Sequence, residues 1–350
     1  MRLYFIIFLF FSSIINAAEM TSEKMPKHDW SFEGITGTFD RAAIQRGYKV
    51  FTEVCSGCHS MKLLYYRDLI DVAFSEAQVK VIASEYTILD GPNEELDLTA
   101  NTQPAIFLIS YSIFNVAKNE FKLDLNKAKY FAGHSLGEYS ALSCAGYLDF
   151  SDTLKILRIR GDAMQNSVPK GQGGMVAVLG STVDRIEKIL TENKENLKAQ
   201  IANDNSEGQI VLSGKTEDLE NLIQILKDNS IKNIKLPVSA PFHCDLMNNA
   251  TKIMKEELIK LNFKNGQNKL ISNVTANEIK DPDELKNLLI KQIENRVRWR
   301  ESVINMIENN VNHFIEIGPG KVLSGLVKRI SRDVKIDTIN GQSDIEGLKI

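Results

Sequence analysis

Ala128-Lys-Tyr-Phe-Ala-Gly-His-Ser-Leu-Gly-Glu-Tyr-Ser-Ala-Leu142 is the stretch whose reading decides the fold. Ala128–Ala132 reads as a short apolar strand and Tyr139–Ala145 as a helix. Between them, Gly133-His134-Ser135-Leu136-Gly137 has the form G-x-S-x-G. A sharp strand-to-helix turn needs small residues on both sides of its serine. It leaves the hydroxyl exposed at the helix N-terminus and aims the next backbone N–H at a developing oxyanion. The alternative is a helix-capping serine in a glycine-rich turn.

Working outward, apolar strands and amphipathic helices alternate on both sides. Ala105–Ala117 reads as a helix before the elbow. Ser151–Met164 is another after it, followed by the polar loop Pro169–Gly174. A β-α-β-β-α-β order comes next: strand Met175–Leu179, helix Val183–Thr191, strands Ala199–Asn203 and Gln209–Ser213, helix Thr216–Asp228, and strand Ile231–Pro237. That order is the split βαβ unit of ferredoxin-like subdomains. Strand Phe314–Ile317, the turn Gly318-Pro319-Gly320 and helix Lys321–Ile330 close the series. The expected class is α/β, with a parallel sheet of the α/β-hydrolase kind in the core and a ferredoxin-like insert at about 174–238.

A nucleophilic serine needs a base. Of five histidines, His134 adjoins the serine, His313 enters a strand, and His28 and His59 belong to a different N-terminal piece. His243, in a proline-containing loop after the insert, is the candidate. Its alternative is a satisfied structural histidine. Arg160, in Leu157-Arg-Ile-Arg-Gly161, could hold a carboxylate through two parallel bonds, although an arginine on a helix surface reads the same way. Hydrolysis and acyl transfer both remain open to such a pair.

The 350 residues suggest about two domains. Hydrophobic residues are 43% and charged residues 25%, which excludes a disordered chain, a collagen-like repeat and a polytopic membrane protein. A net charge of −3 without a basic block argues against a nucleic-acid partner. Four cysteines cannot form a disulfide scaffold. At the N-terminus, Met1-Arg2, the apolar Leu3–Ile15 and Asn16-Ala17-Ala18 describe a secretory signal peptide over residues 1–18. The apolar stretch is short of the ~20 residues that span a bilayer. Residues 19–93 are polar and irregular, with one helical stretch leading into Cys55-Ser-Gly-Cys58-His59, and Asp90-Gly91-Pro92-Asn93 reads as a turn or linker. C-x-x-C-H is the attachment signal of c-type haem. Its two thiols can form thioethers with one porphyrin, and His59 can ligate the haem iron. A redox C-x-x-C pair is the alternative.

Trp30–Asp40 (Trp-Ser-Phe-Glu-Gly-Ile-Thr-Gly-Thr-Phe-Asp) and Gln45–Lys62, which contains the Cys55–His59 motif, resemble the start of bacterial cytochrome c1. The resemblance runs to about Asn93. It implies covalent haem c on Cys55 and Cys58 and partners in a cytochrome bc1 complex. The family's distal axial methionine and membrane anchor have no counterpart here, and Met61 is too near His59 to reach the opposite haem face.

Leu98–Ala105, Gly133–Leu142, Arg160–Gln165, Ala202–Gly214, Ser239–Cys244, Asn295–Trp299 and Glu316–Gly325, in this order, resemble malonyl-CoA:acyl carrier protein transacylases, over about residues 95–340. The resemblance implies a malonyl ester on Ser135, activated by His243, passed from malonyl-CoA to acyl carrier protein in fatty acid biosynthesis. It implies that Arg160 binds the malonyl carboxylate, that the Leu136 N–H faces the oxyanion, and that the Gln292 carbonyl orients His243. No cofactor or metal is implied for the transferase. The family opens with a strand and a Gly-Gln-Gly-Ser-Gln loop that supplies a second oxyanion N–H. Nothing before Glu95 matches that segment, and Gly171-Gln172-Gly173 follows Arg160, so the expectation is a sheet short of one strand and a site short of one donor. Haem attachment points to the periplasm or a membrane, and malonyl transfer to the cytoplasm. The sequence thus reads as two unrelated frames joined at residues 93–95, a fusion or an assembly artefact, with an inactive hybrid and a serine hydrolase as the other readings.

Overall fold

The structure is a computed structural model that describes Leu96 and residues 98–348 apart from Ser239. The chain divides into two units, residues 1–83 and 84–350, and every described residue lies in the second. The signal peptide and the haem motif therefore lie outside the described residues.

The helical layer begins with α1 (Thr99–Asn119), which runs through Pro104 rather than starting after it. Proline removes one intrahelical bond, but tertiary packing holds this turn. Ala100, Gln103 and Phe107 are buried against α3 (Phe150–Gln165), and the Thr99 N–H donates to Gln165 Oε1 at 3.1 Å. Close approach of the two helices depends on Gly161. A Cβ there would sit 2.6 Å from the Thr99 oxygen and 2.7 Å from Ala100 Cα. Strand β1 (Tyr130–Phe131) leads through the turn at Ser135 into α2 (Leu136–Cys144). Tyr139, Leu142, Leu157 and Met164 from α2 and α3 join Met254 and Leu258 of α6 (Asn248–Lys260) and Leu285 and Leu289 of α7 (Pro282–Gln292) in the main core.

The inserted lobe comprises β2 (Gly173–Leu179), α4 (Val183–Glu192), β3 (Gln200–Ser206), β4 (Gln209–Lys215), α5 (Thr216–Asp228) and β5 (Lys232–Lys235). Its antiparallel sheet runs β3-β4-β2-β5. This is the ferredoxin-like arrangement, and Val176, Val178, Ile210 and Leu212 of the sheet pack on Ile186, Leu219 and Leu222 of the two helices. The lobe is tied to the core by Asp204 on β3, whose buried carboxylate takes two 3.0 Å bonds from Arg300 on α8 (Trp299–Glu308).

The parallel part of the core comes in two ladders. β1 pairs in parallel with β6 (Lys269–Ile271), which carries the antiparallel β7 (Glu278–Ile279) on its other edge. Separately, β8 (His313–Ile317) pairs in parallel with β9 (Lys335–Ile339). The helices α9 (Val322–Ile330) and α10 (Gln342–Glu346) flank this second ladder. Among the described residues no strand pairs with the remaining edge of β1 or of β8. Yet Tyr130 and Ala132 share an apolar cluster with Phe314 and Ile336, and Phe131 shares another with Ile315 and Ile317. The ladders thus have common apolar layers on both faces without a common hydrogen bond. All five residues of β8 are only half-buried, where a central parallel strand is normally covered on both sides.

Because the α1–α3 contact has backbone on both sides of Gly161, no side chain can yield to an added methyl. Gly161→Ala is expected to cost ~1–3 kcal/mol, measured as a lowered midpoint in urea denaturation. An unchanged midpoint would show that the two helices can separate freely.

Candidate active site

Ser135 occupies a backbone conformation that side chains avoid, with φ 54° and ψ −111°. The sequence permits this because Gly133 passes directly beneath the following turn, where a Cβ would lie 1.9 Å from the Gly137 oxygen. Three side-chain bonds then hold the turn. The Ser135 N–H donates to Asn273 Oδ1 at 2.7 Å, Asn273 Nδ2 donates to the Gly133 oxygen at 2.7 Å, and Gln292 Nε2 donates to the Ser135 oxygen at 2.9 Å. Leu136 is the first residue of α2, and a first-turn N–H has no acceptor inside its own helix.

The hydroxyl faces His243. Ser135 Oγ lies 2.8 Å from His243 Nε2, and His243 Nδ1 lies 2.8 Å from the backbone oxygen of Gln292. A carbonyl can only accept, so Nδ1 carries the hydrogen and Nε2 presents its lone pair to the serine. Gln292 ends α7, where backbone carbonyls are left over from the helical ladder. The histidine also adopts a left-handed conformation, φ 58°, and is buried. Burial first, then the neighbouring Arg160 cation, push its pKa down to about 3. The ring is therefore held neutral, with its Nε2 lone pair turned to the serine hydroxyl.

Arg160 is buried at 1% exposure, on the inner face of α3. It donates from Nη1 to Gln103 Oε1 at 2.6 Å, and from Nη2 to Gln292 Oε1 at 2.9 Å and to Ser135 Oγ at 3.1 Å. Its Nε finds no partner, its guanidinium lies 5.5 Å from the Tyr139 ring centre, and no described carboxylate forms an ion pair with it. The buried Glu138 carboxyl is a nearby opposite charge without a direct ion pair, and a desolvated cation compensated only in this way attracts a further anion. Glu138, three residues beyond the serine, is buried as well. Burial raises its carboxyl pKa to about 7, against lowering by bonds from Gln292 and Asn273 and by Arg160.

Ser135, His243, Arg160, Leu136 and Gln292, singled out from the sequence, thus converge on one point, with Arg160 inside the molecule rather than on its surface. His134 turns away to Asn205, 2.8 Å from its Nε2, and His313 pairs with Asp337 on β9. Cys144 and Cys244 are free thiols whose pKa burial raises to about 12 and about 11, which disfavours the reactive thiolate. Cys55, Cys58 and His59 lie outside the described residues. Sequence reasoning missed Gln103, Glu138 and Asn273. Glu138 carried a usable signal, since Leu136-Gly-Glu-Tyr-Ser-Ala-Leu-Ser-Cys144 has one charge in an otherwise uncharged helix. Nothing local marks Asn273.

The depressed His243 pKa has a defined effect on stability. Between about 3 and 6.5 the unfolded chain binds a proton at this residue and the folded chain does not, so folding weakens as pH falls through that window. Relative to His243→Gln, the protein is expected to lose stability by up to ~1.4 kcal/mol per pH unit below 6.5. Urea denaturation at pH 7 and pH 5 measures the difference, and an equal slope for both proteins would contradict a neutral buried ring.

Comparison with known proteins bears on both pieces of the chain. A family model described as the Cytochrome C1 family matches residues 30–106. The chain is 40% identical over 261 residues to the malonyl CoA-acyl carrier protein transacylase of Bacillus subtilis (strain 168), covering 74% of this chain and 81% of that relative. It is 36% identical over 278 residues to the Escherichia coli (strain K12) protein of the same name, covering 79% and 89%. That second match is longer than the 256 residues from Glu95 to the end, so it reaches upstream of Glu95 into the stretch the cytochrome model also matches. Among solved structures, the acyl-carrier-protein-S-malonyltransferase from Bartonella henselae has 40% identity and a TM-score of 0.73, covering 78% of this chain and 90% of that one. A malonyl-transacylase solved in complex with its type II polyketide acyl carrier protein has 33% identity and a TM-score of 0.71, covering 76% and 89%. With its nucleophile turn, its histidine and its inserted lobe in this arrangement, the chain belongs to the malonyl CoA-acyl carrier protein transacylase family.

Proposed function

We propose that the protein moves a malonyl group from malonyl-CoA to the phosphopantetheine thiol of acyl carrier protein, a transferase step of fatty acid biosynthesis. The observation that carries this reading is the buried guanidinium of Arg160, without a direct ion pair, bonded to the Ser135 hydroxyl. A cation there suits an acyl group that ends in a carboxylate, held in charge-assisted bonds beside the nucleophile.

The chemistry follows in two balanced halves. As Ser135 Oγ attacks the thioester carbonyl, its proton passes to His243 Nε2, and the oxygen that gains charge faces the Leu136 N–H. Collapse expels the CoA thiolate, which recovers that proton, leaving a malonyl ester. The acyl carrier protein thiol then gives its proton to His243 and attacks the ester carbonyl. Collapse returns the proton to Ser135 Oγ. The Gln292 carbonyl keeps the ring in the competent tautomer and stabilises the imidazolium that forms in each half.

Mass spectrometry of the protein after incubation with malonyl-CoA is expected to show one malonyl adduct, mapped to Ser135. Arg160→Ala is expected to lower malonyl loading by ~10–100-fold while acetyl loading falls far less. Full malonyl activity in that variant would favour a serine hydrolase that ignores the acid tail.

The match to residues 30–106 supports a second activity for the piece that precedes the transferase. In this reading residues 1–18 form a signal peptide, 19–93 a cytochrome c1-like fragment and 94–350 the transferase with its insert at about 174–238, the whole being a chimera. Cys55 and Cys58 would hold covalent haem c and His59 its iron, and the bound group would supply one-electron transfer. A haem absorption band that survives denaturation of the exported protein is the expected result; a colourless product would end this reading.

A further inference from the structure

We propose that Glu138 is the positioning residue of the Ser135–His243 pair. The inference rests on the serine reading above and concerns what holds that pair in line. Glu138 lies in the first turn of α2, at 1% exposure, with its carboxyl pointing across the site rather than to solvent. Its Oε2 accepts from Gln292 Nε2 at 2.6 Å and from the Asn273 N–H at 3.3 Å.

Those two residues carry the rest of the geometry. Asn273 takes the Ser135 N–H and donates to the Gly133 oxygen, so it bridges the two sides of the strained turn. Gln292 supplies the backbone oxygen that orients His243, donates from its side chain to the Ser135 oxygen, and accepts from Arg160. The nucleophile turn is on one helix, the base on a loop and its orienter at the end of α7. Glu138 Oε2 is bonded by both Asn273 and Gln292, which also meet each other directly, Gln292 Nε2 to Asn273 Oδ1 at 3.4 Å, so one buried carboxyl braces the pair that holds the turn. It touches neither the serine hydroxyl nor the imidazole, so it acts through its partners. Its second oxygen, Oε1, has no partner, and a protonated carboxyl or an amide could therefore occupy the same place without losing the bonds at Oε2.

The test reads serine reactivity without reference to the acid-tailed substrate: the burst of p-nitrophenolate released when the full-length protein is acylated by p-nitrophenyl acetate. Glu138→Ala is expected to slow the burst by ~10–100-fold, the scale of a small misplacement of reacting groups, with little change in the ester concentration that half-saturates it. Glu138→Gln is expected to restore the burst to within a few-fold of the parent, because its amide oxygen accepts the same two bonds. Thermal melts accompany each variant. Should Glu138→Ala fail to fold, Glu138→Asp, whose shorter side chain cannot reach both partners, takes its place with the same expectation. An undiminished burst in the shortened variant overturns the inference, as does a Gln variant that melts normally yet is as slow as Ala. A burst that survives Ser135→Ala overturns the serine reading and this inference with it, whereas one lost there but intact in Glu138→Ala overturns the inference alone.

Discussion

The site depends on forcing one non-glycine residue, Ser135, into a backbone conformation that costs about 1–3 kcal/mol. Such strain persists only where the surroundings over-determine it. Here they do so in two ways. The glycine at 133 leaves no Cβ to strike the Gly137 oxygen, and three bonds from Asn273 and Gln292 pin the turn on both sides. Gln292 also supplies the carbonyl that orients the base, so relaxing the turn would also disturb His243. Strain and catalytic alignment are therefore one mechanical problem, solved by buried amides rather than by a triad acid.

That link explains which parts were legible in the sequence. G-x-S-x-G between an apolar run and a helix is a local signal, and so is the βαββαβ order; the insert's helices and strands fall within about two or three residues of their expected ends, as boundary fraying would predict. The start of α1 was not legible, because Pro104 signals a break that packing against Gly161 overrides. Arg160 reads equally as a surface arginine, since only the fold shows which face of α3 it shares with Gln103. Asn273 and Gln292 serve the serine from 138 and 157 positions away, and no periodicity carries such partnerships. A buried Glu138 breaks the usual rule for carboxylates, and it is at functional sites that local rules are most often broken.

The two parallel ladders show how separable the site is from the sheet that carries it. β1 contributes the approach to the elbow, but every other group comes from helices or their ends: α2 for Ser135 and Glu138, α3 for Arg160, and the last residue of α7 for Gln292. His243 comes from the loop that leaves the ferredoxin-like lobe. Among the described residues the outer edges of β1 and β8 are unpaired, and the residues of β8 are half-buried. They do not interrupt the bonds among Ser135, His243, Gln292 and Arg160. For the oxyanion the described residues offer the Leu136 N–H, the first of α2.

The charge balance of the cavity sets what it can accept. Burial keeps His243 neutral, Arg160 carries a cation without a direct ion pair, and burial raises the Glu138 carboxyl to about 7, which weakens it as a compensating charge. In the proposed reaction an acyl group that brings its own carboxylate would add negative charge next to the nucleophile and relieve the cation's hold on the histidine, whose basicity Arg160 depresses. An acyl group without that tail would leave the guanidinium with its bonds to Gln103, Gln292 and Ser135 and no direct ion pair. Discrimination of this kind comes from a group left unsatisfied by the wrong ligand, which separates substrates more sharply than an extra methylene in an apolar pocket can.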